Sequence, residues 1–373
     1  MKILIDLRES QTDELIEAVG QAYEEALEVI SLGDQPIAPC IGCWSCWLKT
    51  PGKCVHKDHM TASYSHYVNS DTVILLLDTA QGFINHQAKA FFDRTIPHYH
   101  PYIELVTGEC HHVARYERYP DLVFHFDMAE LTESEEMVIE DYLARTAFHF
   151  KSQAFRLVGS ENDLQLKPLK PRKANNRVVP FGSVESMERL VIYNGSPRRG
   201  VGNTALILEA LKKTLGDRLE IRDLKKTDQW EEWAESFTRE RHVMFFMPLY
   251  VHAMPSHVMA FFEKIQPSKG SISFFVQSGF PESSQSHYLE AYFEQLSLRL
   301  GRTYLGTAIK GSTEGLHLSD EKTREKIIQP FVKTVDYLVM YGKYNPTLIQ
   351  QLARPVRFGK VLQMIINLVG YKL

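Results

Sequence analysis

Short apolar runs alternate with longer stretches of helical periodicity along this chain. The clearest runs are residues 71–77 and 243–247, which are rich in β-branched, aliphatic and aromatic side chains. Runs of this kind are typical of strands that are buried on both faces of a parallel sheet. The pattern therefore predicts an α/β protein in which strands and helices follow one another in turn.

The two halves of the chain carry the same order of predicted elements. In the first half we predict strands at 3–5, 26–32, 71–77 and 122–126 and helices at 12–23, 85–94 and 134–150. In the second half we predict strands at 190–193, 219–224, 243–247, 272–277 and 303–309 and helices at 204–215, 255–265 and 286–300. Asn203 is the expected N-cap of the helix at 204–215, and Gly216 follows its end.

A short sequence repeat supports this doubling. Residues 90–94 (AFFDR) and 260–264 (AFFEK) stand at equivalent places after the two central strands. We therefore predict two tandem doubly wound domains, each a parallel sheet flanked by helices, whose ligands bind at the carboxyl ends of the strands. The predicted boundaries are a first domain at 1–159, a linker at 160–186, a second domain at 187–341 and a helical tail at 342–373.

Composition excludes some classes of protein. The 373 residues are 44% hydrophobic and 24% charged, with a formal net charge of −4, so a nucleic-acid-binding surface is not indicated. No apolar run approaches the roughly 20 residues that a transmembrane helix needs. The first residues lack the pattern of a signal peptide, which makes the cytoplasm the expected location. The tail is expected to dock on the body or on a partner subunit, with a membrane-surface helix as the alternative.

A glycine-rich turn opens the second half. It follows the strand at 190–193 and reads NGSPRRGVGNT over residues 194–204. Backbone N–H groups at the start of a helix favour an anion, and glycines let the backbone approach it closely. The turn matches neither the dinucleotide fingerprint nor the nucleoside-triphosphate loop. It therefore indicates a phosphate cradle of another kind, with a plain strand–helix turn as the alternative.

Three loops of the second half together resemble the NADPH-dependent FMN reductase family, a branch of the flavodoxin-like fold. The glycine-rich turn resembles the family's FMN phosphate loop, residues 247–255 (MPLYVHAMP) resemble the loop that lines the isoalloxazine ring, and residues 277–282 (QSGFPE) resemble the loop that closes over the flavin. Proline and aromatic side chains supply a flat apolar wall for such a ring. The resemblance implies the following FMN-binding residues: Ser196, Arg198, Gly202, Asn203, Thr204, Pro248, Leu249, Tyr250, Val251, His252, Gln277, Ser278, Gly279 and Phe280.

Four of the five cysteines lie close together in the first half. Two residues separate Cys40 from Cys43 and Cys43 from Cys46, and Cys54 follows after seven more. The C-x2-C-x2-C spacing is typical of iron–sulfur sites, and the loop resembles that of the iron–sulfur flavoproteins, a subset of the same family. The resemblance implies a [4Fe-4S] cluster on these four cysteines. Zinc and free or disulfide-forming thiols remain the alternatives, and the fifth cysteine, Cys110, is expected to be an ordinary buried thiol.

The first half differs from the family at its own flavin loops. Its first turn has no glycine and carries Glu9 and Asp13 where a phosphate would lie, so we expect no flavin there.

Further along the first half, a histidine-rich stretch is formed by His98, His100, His111 and His112. It is interpreted as a surface loop or a loop at the mouth of the active site, with a metal site as the alternative.

The resemblance implies an FMN-dependent oxidoreductase. NAD(P)H would donate electrons to FMN, and a quinone, another flavin or an electron-transfer protein would accept them, with the cluster as an additional carrier if it is present. Relatives in this family are commonly dimers, so a homo-oligomer is expected. The alternatives are a non-catalytic electron carrier of flavodoxin type and a redox sensor that uses the four clustered cysteines.

Overall fold

The computed structural model describes residues 1–9, 13–23, 27–33, 35–106, 109–126, 129–158, 167–168, 181–198 and 202–354. The chain forms two compact units. The first comprises Met1–His100 and Ala114–Arg172, and the second comprises Pro101–Val113 and Lys173–Leu373. A short segment from the first half of the sequence is therefore part of the second unit. The predicted linker and tail lie mostly outside the described residues.

The first half of the chain contains ten strands and five helices among the described residues. In chain order these are β1 (Lys2–Asp6), α1 (Asp13–Ala22), β2 (Glu28–Ser31), α2 (Ser45–Leu48), α3 (Met60–Asn69), β3 (Thr72–Leu77), β4 (Thr79–Ala80), β5 (Phe83–Ile84), α4 (His86–Asp93), β6 (Tyr99–Val106), β7 (Glu109–Ala114), β8 (Asp121–Phe126), α5 (Glu133–His149), β9 (Ala154–Val158) and β10 (Lys167–Pro168).

The first unit is built on one six-stranded sheet in the order β10-β9-β8-β3-β1-β2. Every pairing in it is parallel except that of β9 with β10. All six residues of β3 are buried, as the uninterrupted apolar run at 71–77 predicts. Helix α4 begins at a side-chain cap, in which Asn85 accepts a hydrogen bond from the Ala88 N–H.

The second half contains five strands and six helices among the described residues. They are β11 (Leu190–Asn194), α6 (Asn203–Leu215), β12 (Leu219–Asp223), α7 (Trp230–Phe237), β13 (His242–Pro248), α8 (Ser256–Phe262), β14 (Ser271–Gln277), α9 (Tyr288–Arg299), β15 (Thr303–Lys310), α10 (Glu321–Tyr341) and α11 (Pro346–Ala353). The sheet order is β12-β11-β13-β14-β15, and all of its pairings are parallel.

Alternate residues of the central strands face two different layers of the second unit. Ile192 and Phe246 belong to a buried cluster that also includes residues of α6 and α10. On the opposite face the Tyr193 ring stacks on Phe245, and Phe274 stacks on Phe293 of α9 at a centroid distance of 3.9 Å. The period of two along each strand thus explains why both layers are apolar.

The strand orders confirm the predicted fold class. Numbered within its own unit, each sheet runs 2-1-3-4-5, which is the order of the flavodoxin-like doubly wound fold. The first unit adds the antiparallel edge strand β10. In this order the first strand lies between the second and the third. The chain therefore winds in opposite directions on either side of it, and a crevice opens at the carboxyl ends of the strands.

Several elements were not predicted from the sequence. They include α3, β9, α10 and the two-stranded sheet of β6 and β7. Strands β6 and β7 carry histidine, tyrosine and glutamate in place of an alternating apolar pattern, so periodicity gave no signal for them. The prediction that Asn203 caps α6 was wrong. Gly202 occupies the N-cap position and has no side chain that could cap the helix.

Candidate functional site

The three predicted flavin loops lie at the carboxyl ends of neighbouring strands. They follow β11, β13 and β14. The Gln277 side-chain amide donates a hydrogen bond to Thr204 Oγ1, which joins the third loop to the start of α6. The Leu249 N–H donates to the Gln277 carbonyl at 2.8 Å, which joins the second loop to the third. The fold therefore brings the three separate sequence segments together at one edge of the sheet.

The first loop turns tightly against the central strand. The Gly195 N–H donates to the Phe246 carbonyl at 2.8 Å, and the Ser196 N–H donates to Asn194 Oδ1 at 3.0 Å. A Cβ at Gly195 would lie 2.7 Å from Val258 Cγ2, so only glycine fits without displacement. The loop thereby holds residue 196 against the sheet, at the carboxyl end of β11.

The start of α6 suits an anion. This helix has thirteen residues, and its N-cap residue, Gly202, has no side chain that could accept hydrogen bonds from the first N–H groups. Uncapped N–H groups and the helix dipole favour a negative charge at this position. The hydroxyl-bearing residues Ser196 and Thr204 are both buried nearby, and Arg198 is the cationic residue of the loop that the structure describes.

Asn203 contacts the loop that follows β15. Its Nδ2 donates to the Glu314 carbonyl at 3.0 Å, and its Oδ1 accepts from the His317 N–H at 3.1 Å. The side chain thus connects α6 to residues 314–317. Sequence reasoning missed this role because the two segments are more than a hundred residues apart.

The second loop contains a strained turn. Tyr250 and Ala253 exchange two backbone hydrogen bonds of 2.8 and 2.9 Å, and the two residues between them, Val251 and His252, have φ angles of 41° and 59°. A β-branched residue in the left-handed region is sterically unfavourable, and such strain is found mostly at functional sites. Pro248, Leu249 and Tyr250 are half-buried, whereas His252 is buried.

The first unit repeats this turn. Strands β4 and β5 pair antiparallel around Gln81 and Gly82, whose φ angles are 52° and 74°. The turn follows the central strand β3, as the turn at residues 250–253 follows β13. The backbone geometry is therefore shared by the two units although the proline and tyrosine of the second loop are absent from the first.

The third loop is held by the segment after β15. The Ser278 N–H donates to the Lys310 carbonyl at 2.9 Å, and the Thr313 N–H donates to the Ser278 carbonyl at 3.0 Å. Gly279 is exposed and Phe280 is half-buried. A Cβ at Gly279 would lie 2.7 Å from Glu314 Oε2, which shows how closely this carboxylate approaches the loop.

One buried acceptor at this site is unsatisfied. Gln277 is 4% exposed, and its Oε1 has no hydrogen-bond partner among the residues that the structure describes. Leaving a buried carbonyl oxygen without a partner costs about 1–3 kcal/mol. A ligand that offers an N–H group at this position would remove that cost. The buried acceptor, the uncapped helix and the flat Pro248–Tyr250 wall fit the polar edge, the phosphate and the ring of FMN.

Lys310 also lies at this edge of the sheet, and sequence reasoning did not single it out. It ends β15 at the same edge of the sheet, and burial lowers the pKa of its ammonium. Its position directly after the apolar run of the last strand was the only signal in the sequence.

The four clustered cysteines do not form a recognisable metal site. Cys43 is exposed, whereas Cys40 and Cys46 are half-buried. Burial is the main cause that raises the pKa of Cys40 and that of Cys46, each to about 12. In the described part of the chain, no group of three or more His, Cys, Asp or Glu side chains is arranged to hold a metal ion. The thiols as placed therefore fit neither the predicted [4Fe-4S] cluster nor zinc, each of which needs several thiolates around one centre.

The histidine-rich stretch is divided between different surroundings. His98 is 1% exposed and stacks on the Tyr67 ring at 4.8 Å, and burial lowers its pKa to about 3. His111 is buried in β7, and the ring of His112 lies 5.3 Å from that of Phe280. The stretch thus contributes one histidine beside the third loop.

The corresponding turn of the first unit carries carboxylates. Asp6, at the end of β1, is fully buried and accepts two hydrogen bonds from the Arg8 guanidinium at 2.9 and 2.7 Å. The Glu9 N–H donates to the Asp78 carboxylate at 2.8 Å. A backbone donor that could contact a phosphate is therefore already paired with an acid. Residues 10–12 of this turn lie outside the described residues.

Comparisons with known proteins give limited similarities. No protein-family model and no curated protein matches the chain. One similar solved structure is an NADPH-quinone reductase from P. pentosaceus, at 10% identity and TM-score 0.31, covering 39% of this chain and 94% of that chain. A second is an NAD(P)H:quinone oxidoreductase from Methanothermobacter marburgensis, at 15% identity and TM-score 0.31, covering 41% and 97%.

A third similar structure is the general stress protein 14 from Treponema denticola in complex with FMN. It has 12% identity and a TM-score of 0.32, and the match covers 44% of this chain and 99% of that chain. The fold assignment rests on the two observed strand orders and not on these similarities.

No helix among the described residues is long and apolar enough to cross a membrane.

Proposed function

We propose that the second unit binds FMN and that the protein is an NAD(P)H-dependent flavin oxidoreductase. The observation that carries this proposal is the convergence of three loops around the side-chain oxygen of Gln277 at the carboxyl edge of the sheet. This oxygen, Oε1, has no hydrogen-bond partner among the described residues. In doubly wound folds this edge is the usual ligand site. A quinone, another flavin or an electron-transfer protein is the proposed acceptor.

The first loop would hold the phosphate. The Ser196 and Thr204 hydroxyls and the first N–H groups of α6 are donors, and Arg198 adds a positive charge. The hydroxyl of Thr204 already accepts a hydrogen bond from Gln277, so its own proton is available for a phosphate oxygen. This arrangement would position the ring relative to the second and third loops.

The second and third loops would hold the ring. Residues 248–251 are half-buried and would line one face of the ring, and the turn at residues 250–253 would fix their orientation. The Gln277 side-chain oxygen and the backbone of Gly279 would face the polar edge of the ring, and Phe280 would lie at the opening. FMN, when bound, supplies the hydride acceptor. The task of the protein is to place the ring and to exclude water from it.

The clustered cysteines are left out of this proposal because their placement does not fit a cluster. The proposed domain boundaries remain those drawn from the sequence, with the second domain at 187–341 carrying the flavin. Self-association is also proposed, because relatives in the family that the sequence resembles are commonly dimers. Size-exclusion chromatography with light scattering tests it.

Binding of FMN is the first test. We expect purified protein to show the two absorption bands of an oxidised flavin, or to acquire them on titration with FMN, and to oxidise NADH or NADPH when a soluble benzoquinone is present. Iron measured on the same anaerobic sample shows whether a cluster forms. Tight FMN binding without NAD(P)H oxidation would indicate an electron carrier. No FMN binding by the wild-type protein would refute the proposal.

A matched pair of variants tests the phosphate loop. Thr204→Val removes the buried hydroxyl at the start of α6, and we expect the Kd for FMN to rise about tenfold, which corresponds to the loss of one charge-assisted hydrogen bond. Thr214→Val makes the same change at an exposed position of the same helix, where the hydroxyl donates to the Ala210 carbonyl. Equal Kd values for the two variants would contradict the assignment.

A further inference from the structure

The segment Pro101–Val113 belongs to the second unit although it lies in the first half of the sequence. We call it the arm. It contains most of β6 and nearly all of β7. Glu109, Cys110 and His111 of the arm are 8%, 7% and 2% exposed. Three successive buried residues in a strand mean that both of its faces are covered, since neighbouring side chains point to opposite faces.

The arm is bound by side chains at the end of the third loop and directly after it. The Cys110 N–H donates to Glu282 Oε1 at 2.8 Å, and the Cys110 carbonyl accepts from Gln285 Nε2 at 2.9 Å. Gln285 Nε2 also donates to Glu282 Oε1 at 2.5 Å. Two side chains therefore satisfy both backbone groups of one arm residue, as a neighbouring strand would.

Two further contacts extend this clamp. The Ser284 hydroxyl donates to Glu109 Oε1 at 2.6 Å. The His112 ring lies 5.3 Å from the Phe280 ring at an interplanar angle of 52°. Burial and the Glu282 carboxylate raise the pKa of the Cys110 thiol to about 12, so the docked thiol is protonated and unreactive.

The clamp adjoins the opening of the proposed flavin site. Glu282 is separated from Phe280 only by Pro281, whose ring fixes the backbone φ angle. On its other side Phe280 is held by the Ser312 N–H, which donates to the Phe280 carbonyl at 2.9 Å. Phe280 is therefore fixed between the segment after β15 and the arm.

We propose that the arm is a positioning element of the flavin site: Glu282 and Gln285 clamp it, and the clamp fixes Phe280 with His112 beside it at the opening through which electron donor and acceptor approach. The inference rests on the proposed function and adds to it a structural requirement. A segment distant in sequence completes the third loop. Loss of the clamp would leave the loop free to move and the opening misshapen.

The clamp itself is tested without a flavin. In Glu282→Ala the Cys110 N–H and the Gln285 amide lose a half-buried charged acceptor, so we expect faster hydrogen exchange in residues 278–285 and 109–113. We also expect Cys110 to become labelled by a maleimide, as read from its own peptide by mass spectrometry. Glu282→Gln keeps an acceptor oxygen and should restore most of the protection. Glu235→Ala, at an exposed residue of α7, is the control.

The consequence for the site is tested with FMN, NADPH and a soluble benzoquinone. We expect Glu282→Ala to raise the KM for NADPH or for the quinone about tenfold, with a smaller change in kcat, and Glu282→Gln to lie near the wild type. His112→Ala, which keeps the clamp, should raise the same KM without exposing Cys110.

Failure of this inference is distinguishable from failure of the proposed function. Unchanged protection of Cys110 and of the loop in Glu282→Ala would overturn the clamp. Lost protection with unchanged KM values and FMN affinity would overturn the positioning role alone. No FMN binding by the wild-type protein would overturn the proposed function and with it the link between arm and flavin, whatever the exchange data show.

Discussion

Substitution of Gly195 by alanine is the sharpest test of the first loop. This residue turns the chain from β11 into the phosphate loop and is buried against the central strand. An added Cβ would lie 2.7 Å from Val258 Cγ2 and 2.9 Å from Met247 Cβ. The φ angle of Gly195 is not in the left-handed region, so the expected cost comes from crowding and not from backbone strain.

The magnitude follows from these distances. Carbon atoms pack at about 3.5–4.0 Å, so both contacts are too short by roughly 0.6 Å or more. The Val258 methyl could rotate away, but Met247 Cβ is attached directly to the backbone of β13 and could move only with the strand. Overpacking of this kind costs about 1–3 kcal/mol in free energy of unfolding. The remaining strain would shift the loop and weaken FMN binding by about tenfold.

Urea unfolding and FMN titration measure the two effects. Gly20→Ala is the control, because a Cβ there would have no atom within 4 Å and the residue lies in helix α1. Alanine is a better helix former than glycine, so we expect this variant to be as stable as the wild type or more stable by up to about 1 kcal/mol. If Gly195→Ala unfolds at the wild-type urea concentration and binds FMN equally well, the close packing of the loop against β13 is refuted.

Three further predictions concern stability. Val251→Asn should raise the free energy of unfolding by about 1 kcal/mol, because asparagine tolerates the left-handed φ that strains valine; a lower midpoint in urea would contradict this. Arg302→Met should lower the free energy of unfolding by about 3 kcal/mol, since the buried guanidinium donates to the Phe237 carbonyl and to other backbone oxygens. The control is Arg239→Met at an exposed position, which should lower it by under about 0.5 kcal/mol in the same urea assay. Burial lowers the pKa of His98 to about 3, so the unfolded chain takes up a proton that the folded chain does not; stability should fall as pH decreases from about 6.5 toward 3, and His98→Phe should flatten this dependence in thermal melts at several pH values.

The sequence alone determined the class of fold. The apolar runs at 73–77 and 243–247 lie in the buried strands β3 and β13, because a strand that is covered on both faces carries apolar side chains at successive positions. The order of strands and helices then limited the topology to a doubly wound sheet in each half. The positions of the three candidate flavin loops followed, since each comes directly after a strand that ends at the same edge.

Tertiary structure decided which residues meet. Asparagine is a common N-cap residue, yet the Asn203 side chain binds residues 314 and 317, because the loop after β15 lies next to it in the folded chain. The spacing of the four cysteines indicated a metal site, but the fold leaves Cys40 half-buried and Cys43 exposed, and no metal-holding group of side chains forms in the described part of the chain. The arm carries no apolar alternation, and the backbone of its buried residue Cys110 is bound by Glu282 and Gln285, which lie about 170 residues away. The periodicity of the sequence indicates which face of a helix or strand is buried. Which distant residues that face contacts is decided only when the whole chain has folded.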